Sequence, residues 1–263
     1  MNHHKEVFQL KKIVLTGAAK GIGRALALKL GKSMEIFALD YDEVALKDLS
    51  KQLPEAQFHY FVGDLAKEED LASFVAWIKQ EAHFIDGLIH NAAIDRGGLL
   101  NQASYQDFMQ TLQVNVGAAY YLVLHLQSIF HSEMSIILLS STRNHQSMPN
   151  NETYVSSKGA ILSLTHALAN SLRTKARVNA ISPGWIETAP FQFPKKEVAL
   201  SATDHAQQLV GRVGEPEDIY QLVDFLLDSQ KSGFITGQEI VIDGGMSKQM
   251  IYHDEFGWRY NQN

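Results

Sequence analysis

Short apolar runs alternate along this chain with longer stretches in which apolar residues recur every three or four positions. Ile13-Val14-Leu15 is a run of the first kind and stops at Thr16-Gly17. Ile22, Leu26 and Leu30, with Ala25 on the same face, then follow at helical spacing. The pattern predicts a strand from Ile36 to Leu39, a polar helix from Glu43 to Leu53 closed by Pro54, and a strand from Phe58 to Val62. Leu71, Val75 and Ile78 form the apolar stripe of the next helix. Leu88-Ile89 and Ile136 to Leu139 read as buried strands flanking a long helix from Tyr105 to Phe130. A second long helix is predicted from Thr153 to Lys175, before a strand from Val178 to Ile181. Pro216 opens a helix with Ile219, Val223 and Leu226 on one face, and Ile240-Val241-Ile242 ends the series.

Continuously apolar strands separated by helices indicate a parallel sheet covered on both sides. Right-handed crossovers then give an α/β fold, a doubly wound, Rossmann-like parallel sheet with helices on both faces. No linker, low-complexity tract or internal repeat interrupts it. Residues 1–263 read as a single domain, with 248–263 a C-terminal extension.

Composition narrows the function classes. The net charge of −6 speaks against a non-specific binder of nucleic acid or of an anionic membrane. Cysteine is absent, which excludes disulfides, a thiol nucleophile and a Cys-zinc site. No histidine has metal-ligand spacing with a second ligand, so no metal is expected. The first residues are polar and no apolar run approaches the ~20 residues of a membrane span. The expectation is a cytoplasmic protein.

Chemistry concentrates first in Thr16-Gly17-Ala18-Ala19-Lys20-Gly21-Ile22-Gly23, between the first strand and its helix. Gly17 and Gly21 permit a tight turn and leave no side chain in the way of a ligand. Gly23 allows the helix to pack closely on the sheet. The helix N-terminus then directs unpaired N–H groups and partial positive charge at a phosphate. Asp40 ends the second strand about 20 residues further on, where a carboxylate accepts hydrogen bonds from a ribose 2′-hydroxyl and repels a 2′-phosphate. Tyr41 follows it, so no arginine is adjacent to neutralise that phosphate. The reading is NAD in preference to NADP, with Lys20 dissenting because a cation in the turn is able to reach a 2′-phosphate.

The second concentration is Tyr154-Val-Ser-Ser-Lys158. Four residues apart on a helix, the two side chains lie on one face. An ammonium beside a phenol favours the phenolate and lowers its pKa from about 10, making the tyrosine usable in proton transfer. Alone, the same pair also suits a half-buried ring beneath a solvated charge.

Together, the T-G-x-x-x-G-x-G turn and Y-x-x-x-K make the chain resemble the short-chain dehydrogenase/reductase family, from Lys11 to Ser247. Other landmarks occur in the family's order. Asp64-Leu65 is similar to its adenine-binding position. Asn91-Ala92-Ala93 corresponds to N-A-G, with Asn91 supporting the sheet beside the cofactor. Asn115 matches a catalytic asparagine, and Ser141 stands at the catalytic serine's distance before Tyr154. Pro183-Gly184-Trp185-Ile186-Glu187-Thr188 is similar to the segment that grips the nicotinamide carboxamide. Ala93 and His90 depart from the usual glycine and asparagine, which bears on loop geometry after the fourth strand.

The resemblance implies an NAD-dependent oxidoreductase interconverting a secondary alcohol and a carbonyl on a small molecule. Tyr154 is then general base in oxidation and general acid in reduction. Lys158 lowers its pKa and holds the nicotinamide ribose, Ser141 polarises the substrate carbonyl, and Asn115 positions a water linking Lys158 to solvent. It also implies a homotetramer or homodimer. The alternatives are a non-catalytic dinucleotide sensor or scaffold, an enoyl reductase (a class with wider Tyr–Lys spacing) and a sugar-nucleotide epimerase (usually longer). The substrate stays open. Loops around Arg96 to Leu99, Arg143 to Asn151 and Glu187 to His205 are its candidate walls. Arg143 suits either an anionic substrate group or an ordinary surface loop. His145 is a weaker candidate, and Trp185, Phe191 and Phe193 suggest an apolar lid. Tyr252, Phe256, Trp258 and Tyr260 are expected to pack on a neighbouring subunit or near its pocket.

Overall fold

A computed structural model describes residues 10–250, 252 and 254. Its centre is a seven-stranded, wholly parallel sheet: β1 (Lys12–Thr16), β2 (Glu35–Asp40), β3 (Phe58–Val62), β4 (Ile85–His90), β5 (Phe130–Leu139), β6 (Ala176–Pro183) and β7 (Glu239–Ile242). The spatial order is β3-β2-β1-β4-β5-β6-β7. Strand order therefore reverses between β1 and β4, and a crevice opens there at the carboxyl ends of the strands, where a ligand binds in folds of this kind.

Alternate residues of each strand feed opposite faces. Ile13 and Leu15 join Ile36, Ala38 and Ile137 in one core, covered by α1 (Gly21–Leu30), α2 (Glu43–Ser50) and, further along the chain, the helix Pro216–Leu227. Val14 joins Phe37, Leu88, Ile136 and Leu138 in the other. That core is covered by α3 (Glu68–Glu81), and, beyond α4 (Tyr105–Leu112), which packs on the helix that follows β5, by α5 (Ala118–Leu126) and by that helix, α6 (Glu152–Ser171). The strands read as continuously apolar because both faces are buried.

Three predicted helix boundaries differ, the first being the polar helix expected to reach Leu53, which ends at Ser50. The helix expected from Tyr105 to Phe130 is broken at Gln113–Gly117 by a π turn, and Phe130 already belongs to β5. A π turn inserts one residue without removing the apolar stripe on either side, so periodicity passes over it. The second long helix ends at Ser171, earlier than Lys175. Phe256, Trp258 and Tyr260 lie outside the described residues, while Tyr252 is exposed. No helix among the described residues is long and apolar enough to cross a membrane.

Candidate active site and dinucleotide cleft

Gly17 leaves β1 at φ +67° and Gly21 enters α1 at φ +58°, both in the left-handed region. A Cβ on Gly17 would lie 2.7 Å from the Ala92 backbone, so the turn presses directly on the loop after β4. At Gly23 it would stand 1.9 Å from the Gly17 carbonyl and 2.6 Å from the Asn91 amide. The Asn91 amide donates to that same carbonyl at 2.9 Å. Asn91 thus holds the turn in shape. Gly23→Ala is expected to cost about 2 kcal/mol or more, since overpacking here meets backbone. A thermal midpoint equal to that of the unmodified chain would refute this.

The turn opens on a cleft of about 610 Å³ lined by Gly17, Lys20, Asp40, Asp64, Leu65 and Asn91, among others. Six candidate cofactor residues are therefore brought together. The Asp40 carboxylate accepts from the Ala19 and Asp42 amides at 2.9 and 3.0 Å, while burial pushes its pKa up. Lys20 reaches the Asp42 carboxylate at 2.6 Å, which raises the pKa of its ammonium and commits its charge locally. Asp64 caps its own loop by accepting from the Ala66 amide. Ile22 packs its side chain against the core.

The segment after β6 closes the other side. Pro183 pairs in register with Ile242, and the Gly184 amide donates to the Ile242 carbonyl. Ile186 bridges to Gly214, which directs the chain back toward the glycine turn. A Cβ on Gly21 would come to 3.8 Å from Thr188, so Thr188 and Gly21 face each other. A cradle of Cβ-free backbone beside a buried carboxylate fits a dinucleotide diphosphate and ribose.

Ser141, Tyr154 and Lys158 converge where β5 ends and α6 begins. Ser141 caps the turn after β5 by accepting from the Arg143 amide at 3.2 Å. Its hydroxyl stands near enough to the Tyr154 phenol to act to lower that phenol's pKa. Lys158 is buried, with its ammonium 5.3 Å from the centre of the Tyr154 ring and donating to the Leu139 carbonyl at 2.7 Å. Here the electrostatics depart from the expectation of a lowered phenol. Burial raises the Tyr154 pKa, outweighing the lowering effects of Ser141 and Arg143, and Asp95 adds to the rise. Burial likewise brings Lys158 down to about 7. The ammonium turns to a main-chain carbonyl and loses solvation itself, so it is a weaker acidifier than spacing alone suggests.

Asn115 sits inside the π turn. Its side-chain amide donates to the Ile94 carbonyl and to the Ser157 hydroxyl, both at 2.9 Å, and its side-chain oxygen accepts from the Ile94 amide at 2.8 Å. That side chain ties the loop after β4 to α6.

Arg143 donates to the Asn151 oxygen at 2.9 Å, and the Asn151 amide donates to Asp95 at 2.9 Å. Two of the predicted substrate walls are thereby joined beside Tyr154, with Asp95 the member that the sequence pattern did not single out. His145 turns instead to Glu239 at 2.8 Å. Phe193 packs over the Arg24 guanidinium and against the core, not as a lid. His90, expected to alter a loop, is buried at 1% exposure between Thr16 and Asn115.

Comparison with known proteins extends these observations. A family model described as enoyl-(acyl carrier protein) reductase matches residues 17–247. An uncharacterized oxidoreductase of Thermotoga maritima is 35% identical over 252 residues, spanning 93% of this chain and 98% of its own length. The apo SCOR enzyme from Clostridium thermocellum superposes with a TM-score of 0.85 at 36% identity, covering 96% of this chain and 99% of that one. A short-chain dehydrogenase/reductase from Brucella melitensis, titled glucose/ribitol dehydrogenase, gives a TM-score of 0.81 at 29% identity, with 90% and 96% covered.

Proposed function

This chain belongs to the short-chain dehydrogenase/reductase family of oxidoreductases, and from that premise we propose that it interconverts a secondary alcohol and a carbonyl on a small molecule with NAD. The observation that carries the reading is the meeting of Ser141, Tyr154 and Lys158 where β5 ends and α6 begins, with Tyr154 in the field of Asp95, a residue that lines the glycine-turn cleft.

When bound, the nicotinamide dinucleotide supplies or takes up the hydride. Gly17, Gly21 and the start of α1 hold its diphosphate, Asp40 its adenine-side ribose, Asp64 and Leu65 the adenine, and Pro183, Gly184, Ile186 and Thr188 its carboxamide end. The chain's own residues manage one proton. Ser141 donates a hydrogen bond to the substrate oxygen. Tyr154, with its pKa raised, keeps its proton at neutral pH, the state required to protonate a carbonyl oxygen during reduction. In oxidation the same oxygen, once deprotonated to the phenolate, takes the hydroxyl proton. Lys158 lies beneath the ring, where a positive charge favours the phenolate left behind.

Asp40 supports NAD because its carboxylate is buried at the cleft, and the Lys20–Asp42 pair removes the cation that argued for a 2′-phosphate. Ligand at about 100-fold its dissociation constant stabilises a protein by ~2.7 kcal/mol. NADH is therefore expected to raise the thermal midpoint more than NADPH at equal concentration, with Asp40→Ser narrowing the gap. A larger shift with NADPH would overturn the NAD assignment.

Oxidation of NADH across a panel of ketones and aldehydes tests the reaction itself. Nucleotide binding without turnover on any of them would favour the non-catalytic sensor. The matched family's description brings enoyl reduction into the panel as well, and the three-residue gap between Tyr154 and Lys158 favours the carbonyl.

A further inference from the structure

We propose that His90 is a positioning residue of the catalytic centre: held in one tautomer by Thr16, its imidazole fixes the main-chain carbonyl of Asn115 and thereby the setting of Lys158. The proposal rests on the reaction assigned above.

The hydrogen-bond inventory determines the tautomer. A threonine hydroxyl has two lone pairs and one proton. Thr16 Oγ1 accepts from the Asn91 and Ala92 amides, each at 3.2 Å. Its proton is therefore left for His90 Nδ1, 3.0 Å away. With Nδ1 an acceptor, the neutral ring carries its hydrogen on Nε2, which lies 3.2 Å from the Asn115 carbonyl. That carbonyl belongs to the π turn, where the helical ladder is displaced and carbonyls become available to outside donors.

The contact continues to the catalytic helix. The Asn115 side chain donates to the Ser157 hydroxyl, which in turn donates to the Tyr154 carbonyl at 2.7 Å. Ser157 immediately precedes Lys158. One imidazole thus connects the strand that launches the dinucleotide turn with the residue that anchors the first turn of α6. It occupies one side of the Asn115 carbonyl.

Charge agrees with this geometry. The groups acting on the ring are the Lys158 ammonium from α6, the Thr16 hydroxyl from β1, and the Val114 and Asn115 carbonyls from the π turn. Burial and the lysine hold its pKa down to about 4. A second ring proton would have to point at a Thr16 oxygen whose lone pairs are already used. His90 consequently stays neutral and places no second positive charge beside Lys158.

Two substitutions separate positioning from filling space. His90→Phe keeps an aromatic ring and removes both hydrogen bonds, while His90→Asn keeps one donor and one acceptor. Nitrogen NMR of the ligand-free protein is expected to show Nε2 protonated and Nδ1 bare from about pH 5.5 to 9. A hydrogen on Nδ1 would overturn the assignment. Lysine ¹³Cε NMR, which needs no turnover, is expected to show the Lys158 titration displaced by at least ~0.5 pH unit in His90→Phe and near wild type in His90→Asn. With a substrate from the panel, kcat in His90→Phe should fall at least ~10-fold and its pH limb shift, with KM for NADH within ~3-fold. Unmoved Lys158 titration and pH limb in a folded His90→Phe protein would overturn the positioning role. Failure of the carbonyl panel leaves both NMR readouts standing, so the two readings fail separately.

Discussion

Tyr154→Phe is expected to retain NADH binding and to lose turnover by at least ~100-fold, the usual scale of acid–base catalysis. The substitution removes one oxygen and leaves the ring that the Lys158 ammonium faces at 5.3 Å. The cleft residues Gly17, Asp40 and Asn91 make their contacts independently of that oxygen. KM for the nucleotide and the NADH-induced thermal shift should therefore stay close to wild type while kcat falls. Equal losses in binding and turnover would mean that the phenol holds the cofactor and does not move the proton. Near-normal kcat would end the mechanism.

Lys158→Met should abolish most turnover and yet stabilise the ligand-free protein near pH 7. Lys158 is 2% exposed and its pKa is down to about 7 from 10.5. At ~1.4 kcal/mol per pKa unit, burying that charge costs up to about 5 kcal/mol below pH 7. The variant forfeits the hydrogen bond to the Leu139 carbonyl, a loss of about 1–3 kcal/mol. Burial wins, with a net gain of about 2 kcal/mol, or several degrees in thermal midpoint. The pH dependence has a definite sign. Between about pH 7 and 10.5 the unfolded chain still holds the lysine proton and the folded protein has released it, so stability rises with pH across that window. Chemical denaturation should show this gain in the wild-type chain and its absence in Lys158→Met. A variant less stable than wild type at pH 7 would show that the buried ammonium is well compensated.

Both predictions concern residues found from spacing, and the way they behave was decided elsewhere. Tyr154 and Lys158 are legible because a four-residue separation on a helix leaves little choice of relative position. Their pKa values depend on how much protein lies over them, which spacing does not encode. Lys20 illustrates the same limit. Its place in the glycine turn was visible, and its commitment to Asp42 came only from the way β2 runs out beside that turn. Asn115 was found by order along the chain, yet its side chain proved to be an internal tie between Ile94 and Ser157.

The alternation of apolar runs by itself determined the strands, the parallel sheet and the glycine turn, because strand and helix periodicities and glycine's freedom at positive φ are local properties. Tertiary structure alone decided which polar groups share a hydrogen bond across distant segments. Thr16, His90 and Asn115 come from β1, β4 and a π turn, and no local pattern connects them. Burial at that junction then sets the charge states of His90, Tyr154 and Lys158, because the cost of desolvation depends on everything packed around a group and on nothing in its immediate sequence.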